Sequence, residues 1–293
     1  MRLWFDTDIG DDIDDILAIS WAIKNGVEIM GISTVYRDAN ERRAIVCDLL
    51  NSFGKSDIPV YEGYSTPLTP DPIKLGKLNY KSDNVVAKQD PAKCVDAIIE
   101  AAGKYDDLVF LIIGAQTNIA RACLKAPDVM KKAKFVIMGG AFYLHTAEWN
   151  IVCDPVAAEI VSKSGADMIY VPWDVTRSIC IGQENYDKIL AIHEESARGL
   201  LAGFVRQWAK RNSYIPLLHD PAAFYYCINP SIFSVVDIPV KVVCDDSFMG
   251  LTLNLNYFTL RKRDGIQYPV VKVVEKADNS AIVDKFMKDV FDV

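Results

Sequence analysis

The strongest constraint on the fold is an alternation of short β-prone runs with helical ones. Leu3 to Thr7 is apolar and ends in carboxylates, and Ile16, Leu17, Ile19 and Ile23 follow at helical spacing, so the chain opens as strand, loop and helix. The alternation continues with a strand at Ile29 to Val35, a helix at Asn40 to Phe53, a turn at Asp57-Ile58-Pro59 and a helix at Asp90 to Gly103. Then come strand Leu108 to Ile113, helix Asn118 to Lys125, strand Phe135 to Met138, helix Pro155 to Ser164 and strand Met168 to Val171. Strands separated by helices predict an α/β fold, a mostly parallel sheet covered on both faces.

Beyond it, Asn185 to Arg211 reads as helical. Strand-like runs follow at Val240 to Cys244, Met249 to Leu255 and Val270 to Val274, before a closing helix near Ala281 to Phe291. With no linker or internal repeat, residues 1–293 read as one domain. The least regular stretch, Tyr64 to Gln89, is longer than a tight connection needs, which suits a lid or binding segment and equally an excursion without function.

With 293 residues, 51% of them hydrophobic, the chain can bury a large core without disulfides or a structural metal. Its longest strongly apolar stretch, Leu108 to Ala115, is far short of the roughly 20 residues of a membrane-spanning helix. The N-terminal run meets Asp6 too early for a secretory leader, so a cytoplasmic protein is expected. Seven cysteines without a CxxC pair read as reduced, buried side chains. A net charge of −7 and no basic block argue against nucleic acid as a partner.

Asp6, Asp8, Asp11, Asp12, Asp14 and Asp15 crowd into ten residues where the first strand gives way to the first helix. In an open α/β sheet, ligands bind at that edge. Helix capping accounts for one or two aspartates there. Six like charges raise one another's pKa and cost stability unless something positive sits among them. A hard divalent cation is the economical answer, and calcium suits it because the segment offers oxygen and no His or Cys. The spacing is not that of an EF-hand: the fifth position from Asp6 is Gly10 and the twelfth is Leu17.

His219-Asp220-Pro221, before the apolar run Ala222 to Cys227, is a second signal. Asp followed by Pro is a common helix start, and the pair recurs at Asp71-Pro72, Asp90-Pro91 and Asp154-Pro155. Only the pair at 220 carries a histidine.

Taken in order, Asp6-Thr7-Asp8-Ile9-Gly10, Asp14-Asp15-Ile16-Leu17-Ala18-Ile19, Gln116-Thr117-Asn118-Ile119-Ala120, Val136-Ile137-Met138-Gly139-Gly140, Glu148-Trp149-Asn150 with Asp154-Pro155, and His219-Asp220-Pro221 form a set. The chain resembles the inosine-uridine preferring nucleoside hydrolase family along nearly its whole length. The resemblance implies a doubly wound sheet with one calcium ion at the C-terminal edge of its strands, and calcium-dependent hydrolysis of ribonucleosides. It implies Asp8 as calcium ligand and base for a metal-bound water, Asp15 as bidentate ligand, and Thr117, through its carbonyl, and Asp220 as further ligands. Asp14, Glu148 and Asn150 would bind ribose hydroxyls, Met138 would pack near the sugar, Asp6 would brace the cluster, and His219 would serve the leaving group. A homodimer or homotetramer is likewise implied.

These residue types suit the chemistry. Cleavage of an N-glycosidic bond passes through an oxocarbenium-like sugar, which anionic oxygens and hydrogen bonds to ribose stabilise more than the ground state. Three departures bear on the substrate. Asp11-Asp12-Ile13 stands where the common family form has one residue, so Asp12 competes with Asp14. Arg37-Asp38 replaces Gly-Asn, giving Asp38 the sugar-contacting place with a charge. Tyr64 to Gln89 lacks the family's His-Gly loop.

Trp149, Tyr143, Trp208 and Tyr214 are candidates to stack on a base, with Trp208 or Tyr214 favoured because they shortly precede His219. Two other readings compete. One is a magnesium-dependent phosphohydrolase of the haloacid dehalogenase type with Asp6 as nucleophile and Asp8 as acid/base, although Ile9-Gly10 and the His219 motif do not suit it. The other is a catalytically silent nucleoside- or sugar-binding protein.

Overall fold

The computed structural model describes residues 1–70, 78–144, 146–245, 247–258 and 267–293. Its strands are β1 (Arg2–Thr7), β2 (Glu28–Thr34), β3 (Val60–Glu62), β4 (Leu108–Ile113), β5 (Lys134–Met138), β6 (Asp167–Val171), β7 (Phe233–Val242), β8 (Thr252–Asn254) and β9 (Val270–Ala277). The helices that matter most for the site are α1 (Asp14–Lys24), α2 (Ala39–Ser52), α3 (Pro91–Lys104), α4 (Thr117–Lys125), α5 (Pro127–Met130), α6 (Trp149–Cys153), α7 (Pro155–Ser162), α8 (Trp173–Thr176), α9 (Gln183–Leu190), α10 (Ala197–Ala209), α11 (His219–Ile228) and α12 (Asn279–Phe286).

The strands form one sheet in the order β3-β2-β1-β4-β5-β6-β9-β7-β8. Pairing is parallel from β3 through β9, and β7 runs antiparallel to both β9 and β8. Alternation along the strands divides the core. Leu3, Phe5, Leu111, Ile113, Val136 and Met138 join α1, α2, α11 and α12 on one face. Trp4, Phe110, Ile112, Phe135 and Ile137 join α3, α4 and α7 on the other. Both faces are therefore covered, as a doubly wound sheet requires.

Strand order reverses beside β1: the chain steps outward through β2 and β3, then returns to place β4 on the other flank of β1. The loops leaving β1 and β4 consequently diverge and open a crevice at the carboxyl ends of the strands. Two glycines shape it. Gly10 has φ +118°, a region that side chains rarely enter. At Gly114 a Cβ would lie 2.7 Å from the Asp8 nitrogen, so only glycine lets the two loops approach this closely.

Some elements differ from expectation. The helical run at 185–211 is broken into α9 and α10, the latter restarted by Ser196, whose hydroxyl accepts from Gly199 N at 3.1 Å. Strand β7 begins seven residues before Val240, because Phe233 to Pro239 is half exposed and lacks a continuous apolar signal. Strand β3 and helix α6 are too short to show a period. Within Tyr64 to Gln89, residues 71–77 lie outside the described residues. The described remainder buttresses the site from behind: Asn79 N and Tyr80 N donate to Gly10 O at 2.8 and 3.0 Å, and Leu68 N donates to Asp154 at 2.7 Å.

Candidate active site

A cavity of about 450 Å³ opens at the crevice. Its lining includes Asp8, Asp11, Asp12, Asp14 and Asp15 from the β1–α1 loop and helix, Ile113 and Met138 from strand ends, Thr146 to Asn150, Trp173, and His219 with Asp220 from α11. The structure thus brings Asp8, Asp14, Asp15, Met138, Glu148, Asn150, His219 and Asp220 into the lining of one cavity. Thr117 is buried behind it, donating its hydroxyl to Asp154 at 2.6 Å. Asp38 is exposed and does not line the cavity.

Capping does not explain the acidic groups. Asp14 and Asp15 occupy the first turn of α1, whose N-cap is Ile13, and no side chain caps that helix. Helix α11 starts at His219 with Leu218 as N-cap, so Asp220 lies inside the first turn and is not the cap. The other described Asp-Pro pairs do cap: Asp90 accepts from Ala92 N and Asp154 from Ala157 N. Asp71-Pro72 lies outside the described residues.

Three carboxylates are left facing one another. Oxygens of Asp14, Asp15 and Asp220 lie within 4.8 Å of one another, and all three residues are buried. Burial and mutual repulsion hold their pKa values well above the carboxylate range. Burial likewise lifts Asp8 to about 6, although Arg42 pulls it down. An oxygen-only set with this much unbalanced charge fits a hard divalent cation.

The remaining acids are accounted for by other partners. Asp11 accepts from Arg42 Nη2 at 2.8 Å and pairs with Arg37. Arg42 is fully buried and also donates to the carbonyls of Asp8, Ile9 and Tyr36, so one guanidinium grips the loop from beneath. Asp12 accepts from Trp208 Nε1 and from Ile13 N, each at 2.7 Å. Asp6 is buried away from the cavity, accepting from Ser33 at 2.5 Å and Asn118 at 2.8 Å, which suits a brace and gives the phosphohydrolase reading no accessible nucleophile. Thr7 donates to Asp15 and accepts from Ile9 N at 3.1 Å.

Glu148 caps α6, accepting from Gly140 N at 3.0 Å, Asn150 N at 3.0 Å and Ile151 N at 3.2 Å. Burial outweighs these bonds and raises it to about 7. Asn150 Nδ2 donates to Met138 O at 3.1 Å. His219 Nδ1 sits 2.7 Å from the Thr176 hydroxyl, and burial lowers the ring to about 4, so it is neutral at neutral pH.

Sequence reasoning missed Trp173, Arg42 and Thr176, whose partners lie far along the chain. It favoured Trp208 and Tyr214 as base-stacking groups, but neither lines the cavity; Trp208 is buried, holds Asp12 and packs edge-on against Tyr214 at 5.0 Å. Of the aromatic candidates Trp149 does line it, and Trp173 joins it.

A switch-point crevice walled by carboxylates, on a doubly wound sheet, is the ligand-binding place of an open α/β fold. The chain belongs to the inosine-uridine preferring nucleoside hydrolase family, whose model matches residues 3–284, and is thereby an N-glycosidase. It is similar to the probable uridine nucleosidase 1 of Oryza sativa subsp. japonica, 29% identical over 277 aligned residues, covering 86% of this chain and 84% of that protein. A pyrimidine-specific ribonucleoside hydrolase of Citrobacter koseri is 28% identical, covering 96% and 95%. The structure of a purine-preferring ribonucleoside hydrolase from Gardnerella vaginalis superposes with a TM-score of 0.80 at 25% identity, covering 100% and 98%.

Proposed function

We propose that the chain, acting as one domain over residues 1–293, hydrolyses the N-glycosidic bond of ribonucleosides with calcium as cofactor, releasing free base and ribose. The observation that carries this is the meeting of Asp14, Asp15 and Asp220 in the cavity that Glu148, Asn150, Met138 and His219 also line.

Asp8, Asp15, Asp220 and the Thr117 carbonyl would hold the ion, which when bound supplies Lewis-acid polarisation of the attacking water. Asp8, in the cavity lining, would accept that water's proton. Asp14 binds ribose hydroxyls; Asp12, already engaged by Trp208, is the weaker candidate for that place. Glu148 and Asn150 hold the other side of the sugar, where hydrogen bonds strengthen as positive charge develops. His219, neutral and fixed through Nδ1 by Thr176, offers Nε2 to the departing base. Asp38, exposed outside the cavity, has no part in this arrangement.

The named relatives span pyrimidine and purine preferences, so the reading takes ribonucleosides as a class. It has the protein working in the cytoplasm as a homodimer or homotetramer, the location supported by its seven free cysteines and the assembly by family resemblance. Among the described residues no helix is long and apolar enough to cross a membrane.

The test is release of free ribose from a panel of purine and pyrimidine ribonucleosides, with Asp8→Ala as control. Ribose from the native protein and none above background from the variant is the expected result. No ribose from any nucleoside, in protein that binds calcium, overturns hydrolysis in favour of a silent nucleoside- or sugar-binding protein.

A further inference from the structure

Helix α8 is only four residues long, yet it meets the pocket from behind at three points. Trp173 lines the cavity and donates its backbone N–H to Gly140 O at 2.8 Å. The Asp174 carboxylate accepts three consecutive backbone N–H groups, from Phe142 at 2.6 Å on one oxygen and from Tyr143 at 3.1 Å and Leu144 at 2.9 Å on the other. Thr176 meets His219 Nδ1 at 2.7 Å.

The chain that Asp174 grips leads from the end of β5 into Glu148 and Asn150. It is neither helix nor strand between Gly139 and Leu144, so its N–H groups have no regular partners and depend on what surrounds them. An ionised carboxylate is the strongest acceptor available for three of them at once. Other ties run sideways: Ala141 N donates to Thr252 Oγ1 at 2.8 Å, Ala147 bridges to Leu251, Phe142 and Tyr143 pack edge-on against Tyr170 and Tyr257, and Glu148 reaches back to Gly140 N.

We propose that Asp174 is a positioning residue for nucleoside hydrolysis, fixing through Phe142, Tyr143 and Leu144 the wall that presents Glu148 and Asn150 to the sugar. This rests on the reading of Glu148 and Asn150 as ribose-binding groups. Misplacing binding groups by about 1 Å costs on the order of a hundredfold in rate. The proposed cation ligands stand on the β1–α1 segment, at the start of α4 and on α11, outside the gripped chain, so calcium affinity should survive loss of the grip.

The experiment compares KM, kcat and calcium affinity, by titration calorimetry, for Asp174→Ala and Asp174→Asn. A control, Asp278→Ala, removes a carboxylate cap of the same kind from α12, where Asp278 accepts from Ala281 N. Asp174→Ala is expected to raise KM by about tenfold or more, with kcat/KM falling towards a hundredfold. Asp174→Asn, which keeps one carbonyl oxygen for the chain, falls between, and calcium affinity stays within about twofold of native. Asp278→Ala leaves KM unchanged. An unchanged KM in Asp174→Ala overturns the proposal, as does calcium affinity falling in step with kcat/KM, or an equal KM rise in Asp278→Ala. Absence of ribose release from native protein overturns the functional reading and the positioning role together; release with native KM in Asp174→Ala overturns the positioning role alone.

Discussion

The indole of Trp208 donates to Asp12 Oδ1 at 2.7 Å, joining residues 196 apart in the chain. That bond ties α10 to the rim of the cavity and engages an inserted acid that would otherwise be available to the sugar or the ion. Tyr186 and Tyr214 pack edge-on against the same indole, so its direction is set by packing as well as by the carboxylate.

Removing the donor while keeping a ring tests this link. Trp208→Phe is expected to cost about 1.5–3 kcal/mol of stability, the worth of a hydrogen bond to a charged group. In the Trp208→Phe background, Asp12→Asn should cost less than it does in the native chain, because the two act as a unit. Strictly additive losses in denaturant unfolding would show that the bond contributes nothing.

Calcium is expected to raise the melting temperature, by an amount equivalent to about 2.7 kcal/mol at a hundredfold excess over Kd. Asp15→Asn or Asp220→Asn should abolish most of that rise while leaving the protein folded, since each also relieves repulsion among buried acids. A thermal scan with calcium, magnesium and zinc in turn checks both the ion and its ligands. A larger rise with zinc than with calcium would contradict an oxygen-only site.

Glu148 gives a pH signature. Its folded-state pKa, about 7, lies above the ordinary glutamate value of 4.5 because burial penalises the charged form. An acid raised on folding favours the folded state below its unfolded pKa, and that contribution is lost as pH climbs from about 4.5 to about 7. In chelator, native protein should therefore lose more stability between pH 5 and pH 8 than Glu148→Gln does. Equal slopes for the two in melting-temperature measurements would refute this.

What was legible beforehand follows from the range of the interactions. Asp14 and Asp15 stood out because like charges without a nearby cation are anomalous within a single stretch of sequence. The covered sheet was legible because Leu108 to Ile113 and its fellows are apolar on both faces. Asp174 and Thr176 left no such trace: each is an ordinary helix residue until the fold brings Leu144 or His219 to it. Asp12 and Asp14 look alike in the sequence; in the fold Trp208 donates to Asp12, while Asp14 faces Asp15 and Asp220. The exposure of Asp38 was not legible either: the chain turns through left-handed conformations at Tyr36 (φ 69°) and Arg37 (φ 54°), and the following carboxylate stands exposed outside the cavity lining.

Arg42 is the internal counter-charge of the acidic loop. Its side chain is wholly buried and reaches the carbonyls of Asp8, Ile9 and Tyr36 as well as Asp11, acceptors that a lysine's single ammonium cannot meet in the same planar arrangement. Arg42→Met leaves Asp11 with Arg37 alone and strips the loop carbonyls of their donor. Each buried carbonyl left without a donor costs about 1–3 kcal/mol. Arg42→Lys keeps the charge but not the fork, and is expected to lose somewhat less stability and still to lower kcat/KM, because Asp8 is held through its backbone by the guanidinium. Both variants are checked by denaturant unfolding beside ribose release. Native kinetics in Arg42→Lys would show that charge alone, and not the shape of the donor, holds Asp8 in place.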